Sequence, residues 1–174
     1  MQPGRHAQVR RYKEGVIASD SLVLAPLREA DADRLVGLLD EPQLRESLRS
    51  ENVEGLRHRF KSWERGRSHD GRESWLNWIV TSRTDARALG WVQATVSNGV
   101  AVIAYAILPS ERGHGVATEA ARAVTRWLRE QPGVTAVEAV IDPENRASQS
   151  VAANAGFTRT DRLRAREEVW LAQP

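Results

Sequence analysis

Apolar residues recur along this chain with two periods, and the switches between them lay out its secondary structure. The short run SLVLAPLR at residues 21–28 reads as a strand. Glu29 or Asp31 then opens a helix whose Leu35, Leu38 and Leu39 share one face. Leu44 and Leu48 fall together in a second helical stretch, and Val53, Leu56, Phe60 and Trp63 recur at spacings of three and four in a third. A polar, turn-rich loop, GRSHDGRES at residues 66–74, precedes three strand-like runs, WLNWIVT, LGWVQATV and VAVIAYAIL. Asn98-Gly99 between the last two predicts a tight hairpin. Val116, Ala120, Val124 and Leu128 repeat every four residues in a helix over residues 114–130, which Gln131-Pro132-Gly133 stops. VTAVEAVI reads as an interior strand apolar on both faces. A short helix from Asn145 or Arg146 to Ala155 follows, ending at Gly156, and residues 167–171 supply a last strand.

This order, a strand, two or three helices, three meandering strands, then helix, strand, helix, strand, predicts a mixed sheet with helices on both faces. With 174 residues the chain fits a single domain, expected over residues 20–174 behind a polar N-terminal arm at residues 1–19 that pairs as a short strand near Val9 to Tyr12. Composition narrows the function. Hydrophobic residues at 41% and charged residues at 28% describe a globular protein. With no cysteine, and with His6, His58, His69 and His114 out of ligand spacing, no metal is expected. No run is long and apolar enough for a membrane span or a signal peptide, so the expected location is the cytoplasm. The net charge is +2 and the arginines are interleaved with Asp and Glu, which argues against a nucleic-acid partner even at a pI near 9.5.

One segment carries chemistry. Arg112-Gly113-His114-Gly115-Val116-Ala117 places a glycine-bearing turn at the start of a helix. First-turn N–H groups lack backbone partners, and the helix dipole adds partial positive charge, so such a turn suits a phosphate. It is not a dinucleotide fingerprint, because the third glycine site is Thr118, and it has no Lys-Ser/Thr pair of a P-loop. Further along, Ser148, Val151, Ala152 and Ala155 share a helical face, while Asn145 is a natural N-cap with Ser148 in the first turn.

These residues resemble the GNAT superfamily of acyl-CoA N-acyltransferases, whose pyrophosphate motif is Gln/Arg-x-x-Gly-x-Gly/Ala. Arg112, Gly115 and Ala117 match it, and AYAILPSERGHGVATEAARAV is similar to the family's strand, Pro-containing turn, motif and helix in unbroken register. DPENRASQSVAANAGF is similar to the Asn-x-x-Ser…Gly-Phe segment of the RimJ/RimL-like branch, through Asn145, Ser148, Gly156 and Phe157.

The resemblance implies a GNAT-like, mostly antiparallel sheet of six to seven strands and acetyl-CoA as co-substrate. The implied cofactor-binding residues are Ile107, Leu108, Arg112, Gly113, His114, Gly115, Val116, Ala117, Thr118, Asn145 and Ser148. Ile107 and Leu108 would offer the backbone N–H that polarises the thioester carbonyl, and Ser148 would donate a proton to the leaving thiolate. The family's usual tyrosine acid is replaced by Ala152, and its strand glutamate is absent from Val100-Ala101-Val102-Ile103. The implied reaction moves an acetyl group to a primary amine of a small molecule or peptide, and the missing base favours α-amines. The same residues also allow a catalytically weak acyl-CoA-binding regulatory module. Asp31, His58, His69, Glu73 and either Trp63 or Trp75 fall in the half expected to border the acceptor. Dimers are common in the resembled branch, which leaves a homodimer open.

Overall fold

The computed structural model describes residues 12–173. Its centre is an eight-stranded sheet ordered β1-β2-β3-β4-β5-β6-β8-β7. The strands are β1 (Ile17–Ala18), β2 (Leu22–Pro26), β3 (Ser74–Ser82), β4 (Ala88–Ser97), β5 (Val100–Ile107), β6 (Ala136–Ile141), β7 (Phe157–Arg164) and β8 (Glu167–Ala172). Every pairing is antiparallel except β5 with β6. Helices α1 (Ala32–Leu35), α2 (Pro42–Leu48), α3 (Val53–Trp63), α4 (Val116–Arg129) and α5 (Arg146–Asn154) complete the fold.

Alternation along the strands sends successive side chains to opposite faces, and each face has its own core. Trp78, Val80, Val92 and Ile103 pack with Ala120, Val124 and Leu128 of α4. Ile79, Trp91 and Ala106 pack with Leu35, Leu38, Leu56 and Phe60 from α1, α3 and the 3₁₀ turn joining α1 to α2. Burying one such side chain contributes about 1.5–3 kcal/mol. The Asn98-Gly99 hairpin forms as predicted, with both residues at positive φ (51° and 81°) and Ser97 paired to Val100.

The eight strands exceed the expected six to seven, and β1 and β7 are the two that the hydrophobic pattern does not mark. β1 has only two residues and lies within the expected arm, pairing with β2 through Ile17 and Leu24. The polar sequence FTRTDRLR hides β7, because only Phe157 of that strand is buried. The strand expected near Val9 to Tyr12 lies, but for Tyr12, outside the described residues. β6 also departs from the reading of an all-apolar strand: Glu138 is buried within it, its two oxygens accepting from Arg162 at 2.7 Å and Arg164 at 3.0 Å, both on β7. A buried carboxylate needs such partners, which the edge strand supplies.

Glu119, in the first turn of α4, fastens the N-terminal strands to that helix. Its carboxylate accepts from Ser19 Oγ at 2.7 Å, Ser21 N–H at 2.8 Å and Ser21 Oγ at 2.6 Å. Partial burial pushes this carboxyl up, but the hydrogen bonds from Ser21 and Ser19 outweigh it and hold the group below the usual glutamate range. A pKa lowered by folding stabilises the fold above the unfolded-state value, and that increment disappears as pH falls through the folded value. Glu119→Gln is therefore expected to lower the Tm at neutral pH, and the gap to wild type to close as pH falls below the usual glutamate range in melts across a pH series.

Candidate functional site

The site begins where a ladder ends. β5 and β6 pair from Val100↔Ala136 to Ile103↔Ala139, and then both run on unpaired with each other, to Ile107 and Ile141. On its other edge β5 stays paired to β4 throughout. Leu108 N–H donates to Leu89 O at 2.9 Å, so the antiparallel alternation turns Tyr105 and Ile107 toward the β6 side. A fork results, with the backbone N–H and C=O of Tyr105 and the N–H of Ile107 facing into it.

This geometry corrects one expectation. Leu108 cannot aim its N–H at a thioester, because Leu89 already holds it. Of the two, Ile107 alone turns its N–H toward the fork. Ile107 C=O is also engaged, accepting from Arg112 Nε at 3.2 Å.

Beyond the strand, a 3₁₀ turn (Pro109–Glu111) leads into the glycine turn and α4. Gly113 and Gly115 have φ of 79° and 78°, a region that costs other residues about 1–2 kcal/mol. A Cβ at either position would meet nothing within 4 Å, so open space lies over the turn. Among the described residues, none of the amides of Gly113, His114, Gly115, Val116, Ala117 and Thr118 has a hydrogen-bond partner. Six free N–H groups at the start of a 14-residue helix, with room above the glycines, suit a diphosphate. The His114 ring is exposed, with Nδ1 3.4 Å from Glu111 O. The Arg112 guanidinium is held by Ile107 O and by Glu41.

Across the fork stands α5. Asn145 caps it, its Oδ1 accepting from Ser148 N–H at 3.0 Å. Tyr105, which pattern reading passed over, reaches from β5 to α5 and donates its hydroxyl to Ser148 C=O at 3.1 Å. Burial pushes the Tyr105 phenol up to about 12, despite its hydrogen bond to Ser148, so it stays protonated at neutral pH. The Ser148 hydroxyl has no partner among the described residues and is half-buried.

The residues expected on the acceptor side do not converge. Asp31 is bound to Arg34 and to the N–H of Arg28 at a helix start, and His58 is exposed on α3. Trp63 belongs to the core, stacked on Trp91 with ring centroids 5.2 Å apart. His69, Glu73 and Trp75 line a cavity of about 650 Å³ with Glu14, two strands from the fork. There burial pushes the Glu14 carboxyl up, against the N–H of Asn77 that it accepts. Nearer the fork, Ala104 is exposed and Val102 half-buried, with Glu138 beside Val102 in the parallel register. A lone Glu inside an apolar run was the signal for that last residue.

A family model described as an acetyltransferase (GNAT) domain matches residues 21–158. No curated protein matches the sequence at a significant level. Among solved structures, a candidate ribosomal-protein-serine acetyltransferase from Vibrio cholerae superposes with a TM-score of 0.73 at 20% identity, covering 92% of this chain and 98% of that one. A GNAT-family acetyltransferase from Bacillus anthracis gives 0.72 at 14% identity over 90% and 96% of the two chains. An aminoglycoside acetyltransferase, AAC(6')-Ib, solved with coenzyme A gives 0.70 at 19% over 88% and 94%. At these identities the likeness is one of fold.

Gly90, missed in the sequence, lies opposite Ile107. A Cβ there would sit 2.3 Å from Ala106 O and 2.9 Å from Ile107 Cα. Gly90→Ala must push the end of β5 away. It is expected to destabilise the fold by about 1–3 kcal/mol, measured by urea unfolding.

Proposed function

Because the chain belongs to the GNAT acetyltransferase family, we propose that it transfers an acetyl group from acetyl-CoA to a primary amine, with the α-amine of a peptide, protein N-terminus or small molecule as acceptor. One observation carries this reading: the free amides from Gly113 to Thr118 adjoin the strand that opens the fork.

The roles of the chain's own groups follow from their positions. The turn amides and the α4 dipole hold the diphosphate of the co-substrate. Tyr105 and Ile107 present backbone groups to the amide-bearing arm that would enter the fork, and Ile107 N–H is the donor for the thioester oxygen. An N–H so aimed in a dry cleft lowers the barrier by roughly 3–4 kcal/mol. The acceptor nitrogen attacks the carbonyl carbon, the C–S bond breaks, and the sulfur leaves as thiolate. Ser148 Oγ, half-buried and unpartnered, supplies the proton or hydrogen bond that the sulfur takes, and the proton that the nitrogen sheds as the amide forms restores the hydroxyl or passes to water. Tyr105 holds Ser148 in place through its carbonyl.

The acceptor class rests on protonation. Glu138, the buried carboxylate beside Val102, has both oxygens taken by arginines. Neutralising an alkyl amine of pKa about 10.4 at pH 7 costs roughly 4–5 kcal/mol, against about 1–1.5 for an α-amine of pKa near 8. A site with little base suits the second. The fold likeness to the candidate ribosomal-protein-serine acetyltransferase is in keeping with a RimJ/RimL-like assignment.

Wild-type protein is expected to show a CoA-induced thermal shift and to release free thiol from acetyl-CoA with peptide α-amines. Gly115→Glu, which crowds and repels the diphosphate, should abolish the shift. Turnover of lysine or aminoglycoside amines with none of any α-amine would overturn the acceptor class. Loss of the Ser148 hydroxyl in Ser148→Ala is expected to lower kcat on the order of tenfold to hundredfold with little change in the KM for acetyl-CoA.

A further inference from the structure

Arg112 matches the basic position of the pyrophosphate motif, yet its side chain does other work in this fold. Its Nε donates to Ile107 C=O at 3.2 Å, and its Nη1 pairs with Glu41. The C=O of Ile107 and the N–H of Leu108 belong to one peptide plane. That plane is therefore pinned at both ends, by Arg112 on one side and by Leu89 O on the other. Pinning it restricts the ψ of Ile107, which sets the direction of the preceding N–H into the fork.

Glu41 is the residue that opens α2, in the helical layer covering the opposite face from α4. The same layer touches the strand end a second time: a Cβ on Gly37 would lie 3.2 Å from Leu108 Cδ2. A second ion pair, Arg87 with Glu111, fixes the turn to the start of β4. The side chains of Glu111 and Arg112 thus face protein partners, while the following amides are left open.

We propose that Arg112 and Glu41 form a positioning clamp that ties the α1–α2 layer to the Ile107–Leu108 peptide and holds the Ile107 N–H on the thioester oxygen, and that the Arg112 guanidinium is not a phosphate ligand. The clamp rests on the reading of the fork as the thioester site. Its geometry makes the acceptor side and the donor side one mechanical unit: a shift of α2 moves Arg112, and Arg112 moves the peptide. The pair is also partly exposed, at 47% and 30% of the side chains, so removing it should leave the fold intact.

CoA lacks the carbonyl that Ile107 N–H would meet, and acetyl-CoA has it, so the ratio of the two affinities reads the clamp directly. Calorimetric titration of the full chain with each is compared for wild type, Glu41→Gln, Arg112→Gln and Arg112→Lys. The expected result is CoA affinity within about threefold of wild type in every variant. The acetyl-CoA to CoA affinity ratio falls by about threefold or more in Glu41→Gln and Arg112→Gln, and Arg112→Lys recovers part of it. Amide hydrogen exchange over residues 104–112 should quicken in the first two. A loss of CoA affinity of about tenfold in Arg112→Gln, with Glu41→Gln unchanged, would make Arg112 a phosphate ligand and overturn the clamp. An unaltered affinity ratio in both variants would overturn it too. Wild-type protein that binds neither compound overturns the functional reading itself, and the clamp with it.

Discussion

The parallel ladder between β5 and β6 stops after Ile103 and Ala139 although both strands continue. Backbone N–H and C=O groups away from bulk water cost free energy when unpaired, so paired strands seldom separate while still extended. Here the separation is enforced from both sides. β5 is held by β4 to its last residue, with Gly90 letting the two chains approach at Ile107. β6 is drawn the other way by its ladder with β8, from Glu138↔Leu171 to Ile141↔Glu168. The groups left facing the fork form an extended, strand-like edge, which is complementary to a ligand that itself carries amides.

The glycine turn extends that logic from strand to helix. Open space over Gly113 and Gly115 and the free amides that follow suit an anion without a single charged side chain being required. The charged side chains nearby serve the scaffold. Arg87 holds Glu111, Arg112 holds Glu41 and Ile107 O, and the strand end is fixed before any ligand arrives. Such preorganisation matters because a donor contributes to catalysis only when it need not be reoriented during the reaction.

Across the protein, arginine is used locally. Arg162 and Arg164 neutralise Glu138 in β6, and Arg159 meets the buried Glu168 at 3.0 Å. A surplus of two positive charges is what remains after such pairings. The aromatic side chains are likewise mostly structural: Phe60, Trp63 and Trp91 stack in series, and Trp78 meets Trp127 edge-on at 5.4 Å. Trp91 Nε1 is satisfied by Asn77, whose own Nδ2 is buried without a partner among the described residues.

Helix α4, the strands β3 to β5, the Asn98-Gly99 hairpin and the glycine turn at the start of α4 were legible in the sequence, because each depends on neighbours within a few residues. Periodicity reports which face of an element is buried, and glycine spacing reports where the backbone turns left-handed. β7 was not legible, since its polar residues cover an edge and bury only Phe157. Nor were the roles of Gly90, Tyr105, Glu41 and Glu138, each of which acts on residues far along the chain. Leu108 shows the limit most clearly: the motif placed it beside Ile107 as an equal candidate, and one hydrogen bond to Leu89 separated them. Sequence alone determined that this chain forms a mixed sheet with a glycine turn and a helix start after its central strand. Tertiary structure decided which backbone groups stay free to act, because that depends on where strands distant in sequence cease to pair.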